Sequence, residues 1–336
     1  MDDKKTGIKQ NLTNYGDLGF STFLRKSFIK GLGYSDEMLD KPIVGIINTF
    51  SDYNSCHGNV PDLIQSVRAG ILAKGAIPLE FPTISVHEAF SYPTSMYLRN
   101  LMAMDTEEMI RAQPMDSCVL IGGCDKTVPA QLMGALSVDM PVIQLVTGPM
   151  LTGSHRGERV GACTDCRRLW AKFRADEIDE AEINEANNQL VPTVGTCGVM
   201  GTASTMAMIA ETLGIMPPDS SCAPAVSSER RRISEKTGQI AVDIAINKRR
   251  PSSILTAKSF ENALMVLLAI GGSTNALIHL AAIAGRMGIK LDMESFDALS
   301  RTIPVIVDLK PSGEGYMEDL YKAGGLPRIL LELKDK

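Results

Sequence analysis

The stretch Cys118-Val-Leu-Ile-Gly-Gly-Cys-Asp-Lys-Thr127 decides how this chain folds: four apolar residues stop at a glycine pair, and a loop of reactive side chains follows at once. A short apolar run bounded by turn residues reads as a buried strand, and glycine at its exit lets the backbone approach a bulky group. Comparable runs stand at residues 43–47, 142–146, 191–194 and 303–307. Between them lie stretches with apolar residues at helical spacing: 61–74, with Leu63, Ile64, Val67, Ile71 and Leu72, then 203–213 and 260–270. Strands alternating with helices specify an α/β fold, a layered and mostly parallel sheet flanked by helices. After a loop at 310–315 the chain is expected to finish in one short helical stretch, 323–334. The organisation expected is therefore one domain over residues 1–310 and a linker-like remainder over 311–336.

Composition narrows the function. The 336 residues are 44% hydrophobic and 22% charged, enough for a large buried core. Lys plus Arg is 34 against 39 for Asp plus Glu, a net charge of −5, so no basic field exists to hold nucleic acid or an anionic membrane. The start, MDDKK, has no apolar leader, and the longest apolar run, 263–270, is too short to span a bilayer. A cytoplasmic protein acting on a small molecule is expected. Seven cysteines, an odd number without a secretory signal, point to free thiols that pack, react or bind metal.

In parallel α/β sheets, ligands sit beyond the carboxyl ends of strands, where loops run into helix N-termini. Three thiols occupy such corners. Cys56 lies in the polar loop after 43–47, Cys124 follows Gly122-Gly123, and Cys197 follows Val191 to Gly195. Flanking glycines and helix N-termini suit a shared metal or iron–sulfur site, although the wide sequence separations lack the compact spacing of a dedicated metal motif, and cysteine is a common core residue. Oxygen donors stand nearby in sequence: Asp125 directly after Cys124, and Glu88 in the loop Pro82-Thr-Ile-Ser-Val-His-Glu-Ala89, a set able to hold Mg²⁺. Lys126 reads either as a solvated partner of Asp125 or as a base.

Other residues divide between chemical and structural readings. His57, beside Cys56, is a candidate substrate contact, whereas His279 on an apolar helix face reads as a core histidine. Arg156 and Arg159 are candidate partners for a substrate carboxylate. Ser273 and Thr274, in Gly271-Gly-Ser-Thr-Asn275, present either N–H groups to an anion or a helix end followed by a cap. Cys163-Thr-Asp-Cys166 has redox or zinc spacing but no second pair, so it reads as structural, as do Cys118 and Cys222.

Five ordered blocks then resemble one family: Cys56-His-Gly-Asn59, Pro82-Thr-Ile-Ser-Val-His-Glu-Ala-Phe90, Gly122-Gly-Cys-Asp-Lys-Thr-Val-Pro-Ala130, Gly195-Thr-Cys-Gly-Val-Met-Gly-Thr-Ala-Ser-Thr-Met206 and Gly271-Gly-Ser-Thr-Asn-Ala276. Together they are similar to the dihydroxy-acid and phosphogluconate dehydratases. Ser91-Tyr-Pro-Thr-Ser-Met-Tyr-Leu-Arg-Asn-Leu-Met102, Met104-Asp-Thr-Glu-Glu-Met-Ile-Arg111 and Gly153-Ser-His-Arg-Gly-Glu-Arg159 resemble the sugar-acid branch, the arabinonate and xylonate dehydratases. The resemblance implies a hydro-lyase with an iron–sulfur cluster on Cys56, Cys124 and Cys197, [2Fe–2S] in preference to [4Fe–4S]. It implies Mg²⁺ on Glu88, Asp125 and a carbamylated Lys126. The implied reaction takes the C3 hydroxyl of a dihydroxy acid on a cluster iron, with Cys124 and Lys126 at the reacting centre, while a base removes the C2 proton. Family members also carry a second, largely β domain with that base, a serine, and a further Mg²⁺ ligand; this chain is expected to hold the cluster half only. A homodimer is implied by the same resemblance.

Overall fold

In the computed structural model, residues 6–12 and 14–335 are described. Helix α1 (Leu18–Lys30) precedes β1 (Ile43–Asn48), α2 (Val60–Ala73), β2 (Ile77–Pro82), α3 (Arg99–Ala112), β3 (Ser117–Gly122), α4 (Thr127–Val138) and β4 (Val142–Val146). A small hairpin, β5 (Gly153–His155) with β6 (Glu158–Val160), leads to α5 (Thr164–Arg174) and α6 (Glu180–Leu190). The remainder is helical: α7 (Thr202–Thr212), α8 (Ser228–Ile246), α9 (Ala257–Ala269), α10 (Asn275–Arg286), α11 (Met293–Ser300), α12 (Met317–Lys322) and α13 (Gly325–Glu332). Among the described residues no helix is long and apolar enough to cross a membrane.

The expected α/β class is what the chain adopts. β1 to β4 form one wholly parallel sheet in the order β2-β1-β3-β4, with Ile43 opposite Ile77, Val44 opposite Ser117 and Cys118 opposite Val142. Alternation along the strands sends side chains to two separate cores. Val44, Ile46, Val119, Ile121, Ile143 and Leu145 pack on α2 and α8, while Ile43, Ile47, Cys118, Leu120 and Val146 pack on the face carrying α3, α4, α7, α9 and α10. Both faces are covered, which is why the strands read as continuous apolar runs.

Helix α2 shows how sequence sets the packing. Pro61 opens it, Asp62 sits in the first turn, and Leu63, Ile64, Val67 and Ile71 are buried along one side. It meets α8 backbone to backbone, because a Cβ on Gly70 would stand 2.0 Å from the carbonyl oxygen of Glu235, and one on Gly238 would stand 2.2 Å from that of Val67. Gly70→Ala is expected to force the helices apart and cost about 2 kcal/mol. A urea-unfolding midpoint unchanged from wild type would contradict this close contact.

Three expectations need correction. Residues 191–194 form no strand: Pro192 supplies no donor, Val191 and Val194 are exposed, and the segment is tied instead by Leu151 N–H donating to Thr193 Oγ1 at 3.1 Å. Residues 303–307 join no sheet: Pro304 lies inside, Ile303 N donates back to Leu299 O (3.1 Å), and Ile306 N donates to Ala269 O (2.8 Å). The tail holds two helices, α12 and α13, separated at Gly324, whose φ is +105°. Residues after 310 pack into a third core, where Met317, Leu320, Leu326 and Ile329 bury against Met200, Met208 and Val266.

Candidate active site

The sheet order places the site. From β1 the chain moves outward to β2 and then returns to the other side of β1 for β3, so the loops leaving β1 and β3 diverge. Such a reversal opens a crevice beyond the carboxyl ends of the two strands. Cys56 sits there on a 3₁₀ turn, Ser55–His57, and Cys124 to Lys126 sit on the loop between β3 and α4.

His57 clamps the two loops together. Its Nε2 accepts from the N–H groups of Gly123 (2.9 Å) and Cys124 (3.0 Å), so the ring carries its proton on Nδ1, which donates to Thr49 O at 2.8 Å. Burial pushes its pKa down to about 4, against the opposing pull of the Thr49 carbonyl, and the ring stays neutral near pH 7. Fully buried and committed at both nitrogens, His57 positions the Cys124 loop and has no ring atom left for a substrate.

The glycines of these loops are obligatory. A Cβ on Gly123 would lie 1.9 Å from Thr147 Oγ1, and Gly195, at φ +124°, has Ala225, Met150 and Gly148 within 3 Å of any Cβ. Cys197 follows Gly195 on a loop pinned beside the exit of β4, since Thr196 N donates to Gly148 O (2.9 Å) and Met150 N donates to Thr196 O (2.8 Å). The third corner is thus built on β4, where the expected strand 191–194 is lacking.

The thiols have one another for neighbours. Cys56 and Cys124 are both buried, with Cys124 acting on the Cys56 thiol, and Cys124 Sγ lies 3.6 Å from Asp125 Oδ1. Cys197 Sγ lies 3.0 Å from Cys163 Sγ. Cys124, then burial, holds the Cys56 thiol well above its ordinary range. The contact with Cys163, then burial, does the same for Cys197, while Cys163 itself is lowered by that contact. Cys118 and Cys222 stand apart, their thiols raised by burial alone or chiefly by burial, as packing residues should be.

Hard donors adjoin the thiols. Lys126 is buried, 5% exposed, and its Nζ lies 2.7 Å from Asp125 Oδ2 and 3.6 Å from Glu88 Oε2, uniting residues from two separate loops. Glu88 is oriented by Thr94 Oγ1 on Oε1 (2.9 Å) and by Ser95 N–H on Oε2 (3.0 Å), with the Ser95 hydroxyl on the same oxygen. Burial opposes ionisation of Glu88 but is outweighed by these bonds and by Lys126, so its carboxyl stays below the usual range. Lys126 is therefore a buried ion-pair partner of two carboxylates, beyond the solvated pair with Asp125 alone.

Among the described residues, no three His, Cys, Asp or Glu side chains converge as they stand into a metal-ion site. The donor chemistry nevertheless fits the implied groups. Soft thiols, whose side-chain partners include one another, line glycine-bound loops, and oxygen ligands stand immediately beside them.

The remaining expected contacts are engaged within the protein. Arg156 Nη1 pairs with Glu182 (2.6 Å) and Nη2 with Glu185 (3.2 Å), and Arg159 pairs with Asp319 (2.9 Å) while lying over the Tyr316 ring. Their carboxylates are the chain's own. Ser273 N donates to Thr205 Oγ1 (3.1 Å) and its hydroxyl meets Thr202 Oγ1 at 2.8 Å. Gly271, at φ +57°, ends α9 as a helix-stop glycine, yet Thr274 makes no side-chain cap bond at the start of α10.

Sequence reading missed three features. Cys163 was set aside because no second CxxC exists, but its partner is the distant Cys197. Ser95 and Thr94, which hold Glu88, carry no signal of their own. Arg99 Nη1 donates to Nδ1 of the buried His279 at 2.9 Å, and among the described residues no carboxylate pairs with that guanidinium. His279, held neutral by burial and by the charges of Arg99 and Lys126, with its pKa at about 3, is more than a core histidine: it links α10 to α3 near Lys126.

The chain is similar to known proteins of one family. The model of the N-terminal part of the dihydroxy-acid/6-phosphogluconate dehydratases matches residues 41–336. The chain is 45% identical to an L-arabinonate dehydratase of Rhizobium leguminosarum bv. trifolii over 320 residues, 95% of this chain and 55% of the relative. It is 42% identical to a 6-deoxy-6-sulfo-D-gluconate dehydratase of Pseudomonas putida, covering 89% of this chain and 52% of that one. It is 37% identical to a dihydroxy-acid dehydratase of Natronomonas pharaonis, covering 92% and 53%. The chain spans about half the length of the curated relatives it matches. With thiols, carboxylates and lysine gathered at one strand reversal and the family model matched over most of the chain, this protein belongs to the dihydroxy-acid/6-phosphogluconate dehydratase family.

Proposed function

We propose that this chain supplies the cofactor-binding part of a sugar-acid dehydratase, which removes water from a 2,3-dihydroxy aldonate such as arabinonate or xylonate to give a 2-keto-3-deoxy acid. Cys56, Cys124 and Cys197 hold an iron–sulfur cluster, [2Fe–2S], and Glu88, Asp125 and Lys126 hold Mg²⁺ once the lysine is carbamylated, which turns its ammonium into an anionic oxygen ligand. The observation that carries the reading is the convergence of Glu88, Asp125 and Lys126 directly beside the Cys124 thiol. Bound there, the metals supply Lewis acidity to the leaving hydroxyl and to the neighbouring hydroxyl and carboxylate. The chain's own residues set the geometry: Ser95 and Thr94 aim Glu88, His57 fixes the Cys124 backbone, and Gly123 keeps the loop against Thr147. Higher identity to the sugar-acid relatives, 45% and 42% against 37%, supports the aldonate over a branched-chain dihydroxy acid. The same reading makes the protein a cytoplasmic homodimer with a base, a serine, contributed from outside these residues.

Two experiments bear on this reading. Keto-acid release is measured with Mg²⁺ on arabinonate, xylonate and a branched dihydroxy acid, using the chain alone and with the remaining part of the arabinonate dehydratase added. Preference for an aldonate supports the proposal, and preference for the branched acid contradicts it. His57→Leu, which leaves the Gly123 and Cys124 N–H groups without their acceptor, is expected to weaken iron retention against a chelator about tenfold. Unaltered retention would show that the histidine clamp does not shape the thiol site.

A further inference from the structure

We infer that Cys163 is a redox partner of Cys197, closing a Cys163–Cys197 disulfide when the thiol site is free of metal and a small disulfide oxidant is present. The two sulfurs are already 3.0 Å apart, and a bond length of about 2.05 Å needs only a small side-chain movement. Neither residue drifted there. Cys163 occupies φ 78°, ψ −65°, a γ-turn conformation that a non-glycine residue holds only where its surroundings over-determine it. The surroundings do so: two residues on, the fully buried Asp165 accepts from Gly161 N–H (2.9 Å) and from Tyr316 OH (2.7 Å) and Lys310 Nζ (3.1 Å) of the tail. Cys197 is fixed from its own side by Gly195 and by the paired Thr196 backbone.

Access and chemistry favour this pair over the others. Cys163 is exposed, whereas Cys56, Cys124, Cys118 and Cys222 are all buried. Cys166, one helical turn along α5, would complete a CxxC pair, yet the sulfur that Cys163 meets belongs to Cys197. A small disulfide such as glutathione disulfide is the oxidant. The Cys163 thiolate attacks it, forming a mixed disulfide and releasing one glutathione thiol; the Cys197 thiolate then attacks Cys163 Sγ, forming the new S–S bond and releasing the second. Two protein thiols lose two electrons and two protons, and one oxidant disulfide becomes two thiols. The bond removes Cys197 from the ligand set and shields it from irreversible oxidation, so loading the site would require prior reduction. That consequence rests on the proposed cluster; the disulfide itself does not.

The test uses the full chain, stripped of metal and reduced, then incubated with glutathione disulfide. The expected result is loss of two of the seven thiols, a Cys163–Cys197 crosslinked peptide by mass spectrometry, and recovery of both thiols with dithiothreitol. Cys163→Ser is expected to abolish the crosslink and Cys166→Ser to retain it. A Cys163–Cys166 crosslink, a persistent glutathione adduct on Cys163, or seven unreacted thiols would each overturn the inference. Iron and sulfide uptake is measured before and after oxidation. Uptake blocked by oxidation and restored by reduction supports the inference, and uptake unaffected by the crosslink overturns its consequence for loading. A crosslink in a chain that takes up no iron even when reduced would leave the redox pair standing while defeating the cluster reading.

Discussion

Cys124→Ser is expected to yield a folded protein that has lost its iron and acid-labile sulfide, with binding weakened at least about 100-fold, beyond the range seen when a mere supporting residue is removed. Cys124 is the sulfur at the centre of the arrangement: it neighbours the Cys56 thiol and raises its pKa, lies against Asp125, and its backbone N–H is held by His57. Serine preserves the loop, because the His57 bond uses the main chain, so the loss would report on the sulfur alone. Cys118→Ala is the companion control. That thiol is buried within β3, is raised by burial with no contribution from another cysteine, and its removal should cost about 1 kcal/mol while leaving iron content unchanged. Iron retained in the Cys124→Ser protein, or lost from the Cys118→Ala protein, would remove Cys124 from its assigned role.

Asp165→Asn is expected to destabilise the fold by about 4 kcal/mol at pH 7, the scale of breaking a buried ionic network at one partner. Every group facing this carboxylate is a donor: Gly161 N–H, Arg168 Nε, Lys310 Nζ and Tyr316 OH. An amide in its place turns an N–H₂ toward some of them and leaves the lysine without its counter-charge. The network also joins the hairpin region to the tail, so the effect extends to α12. Burial alone would raise the Asp165 pKa, but Tyr316, Lys310 and Gly161 outweigh it and hold the carboxyl below its ordinary value. A depressed folded-state pKa contributes stability that is fully present above the unfolded pKa of about 4 and is lost as pH falls through the lower folded value. The wild-type advantage over Asp165→Asn should therefore be constant from pH 7 to about pH 5 and shrink below about pH 4. Urea-unfolding midpoints across that range check both size and sign. A gap that is absent at pH 7, or that widens in acid, would contradict the network.

The fold was legible where burial on both faces wrote itself into composition. Strands at 43–47, 118–121 and 142–146 are β-rich apolar runs because each is covered by helices above and below. The runs 191–194 and 303–307 have similar residues but carry Pro192 and Pro304, and Val191, Val194, Val305 and Ile306 are exposed; hydrophobicity without a ladder partner was misleading there. The Cys56 and Cys124 corners were legible because each follows a real strand, β1 or β3, whereas Cys197 was reached through a strand at 191–194 that is absent, its loop being pinned beside β4 instead; Gly123 and Gly195 do turn out to be sterically required. What sequence concealed were the pairings. Arg156 and Arg159 looked free until Glu182, Glu185 and Asp319 were brought against them. His57 looked like a substrate contact because adjacency to Cys56 says nothing about both ring nitrogens being consumed by the Thr49 and Gly123–Cys124 backbone. Cys163 looked structural because its partner lies 34 residues away, on a loop pinned beside β4.

The central claim is that Cys56, Cys124 and Cys197 form one iron–sulfur site beside Glu88, Asp125 and Lys126. Anaerobic purification of the full chain under reducing conditions, with iron, acid-labile sulfide and visible absorbance quantified together, tests it most directly. The account predicts a brown protein carrying iron and sulfide in equal amounts. A colourless, correctly folded protein containing neither, even after reconstitution of the reduced thiols, would contradict it.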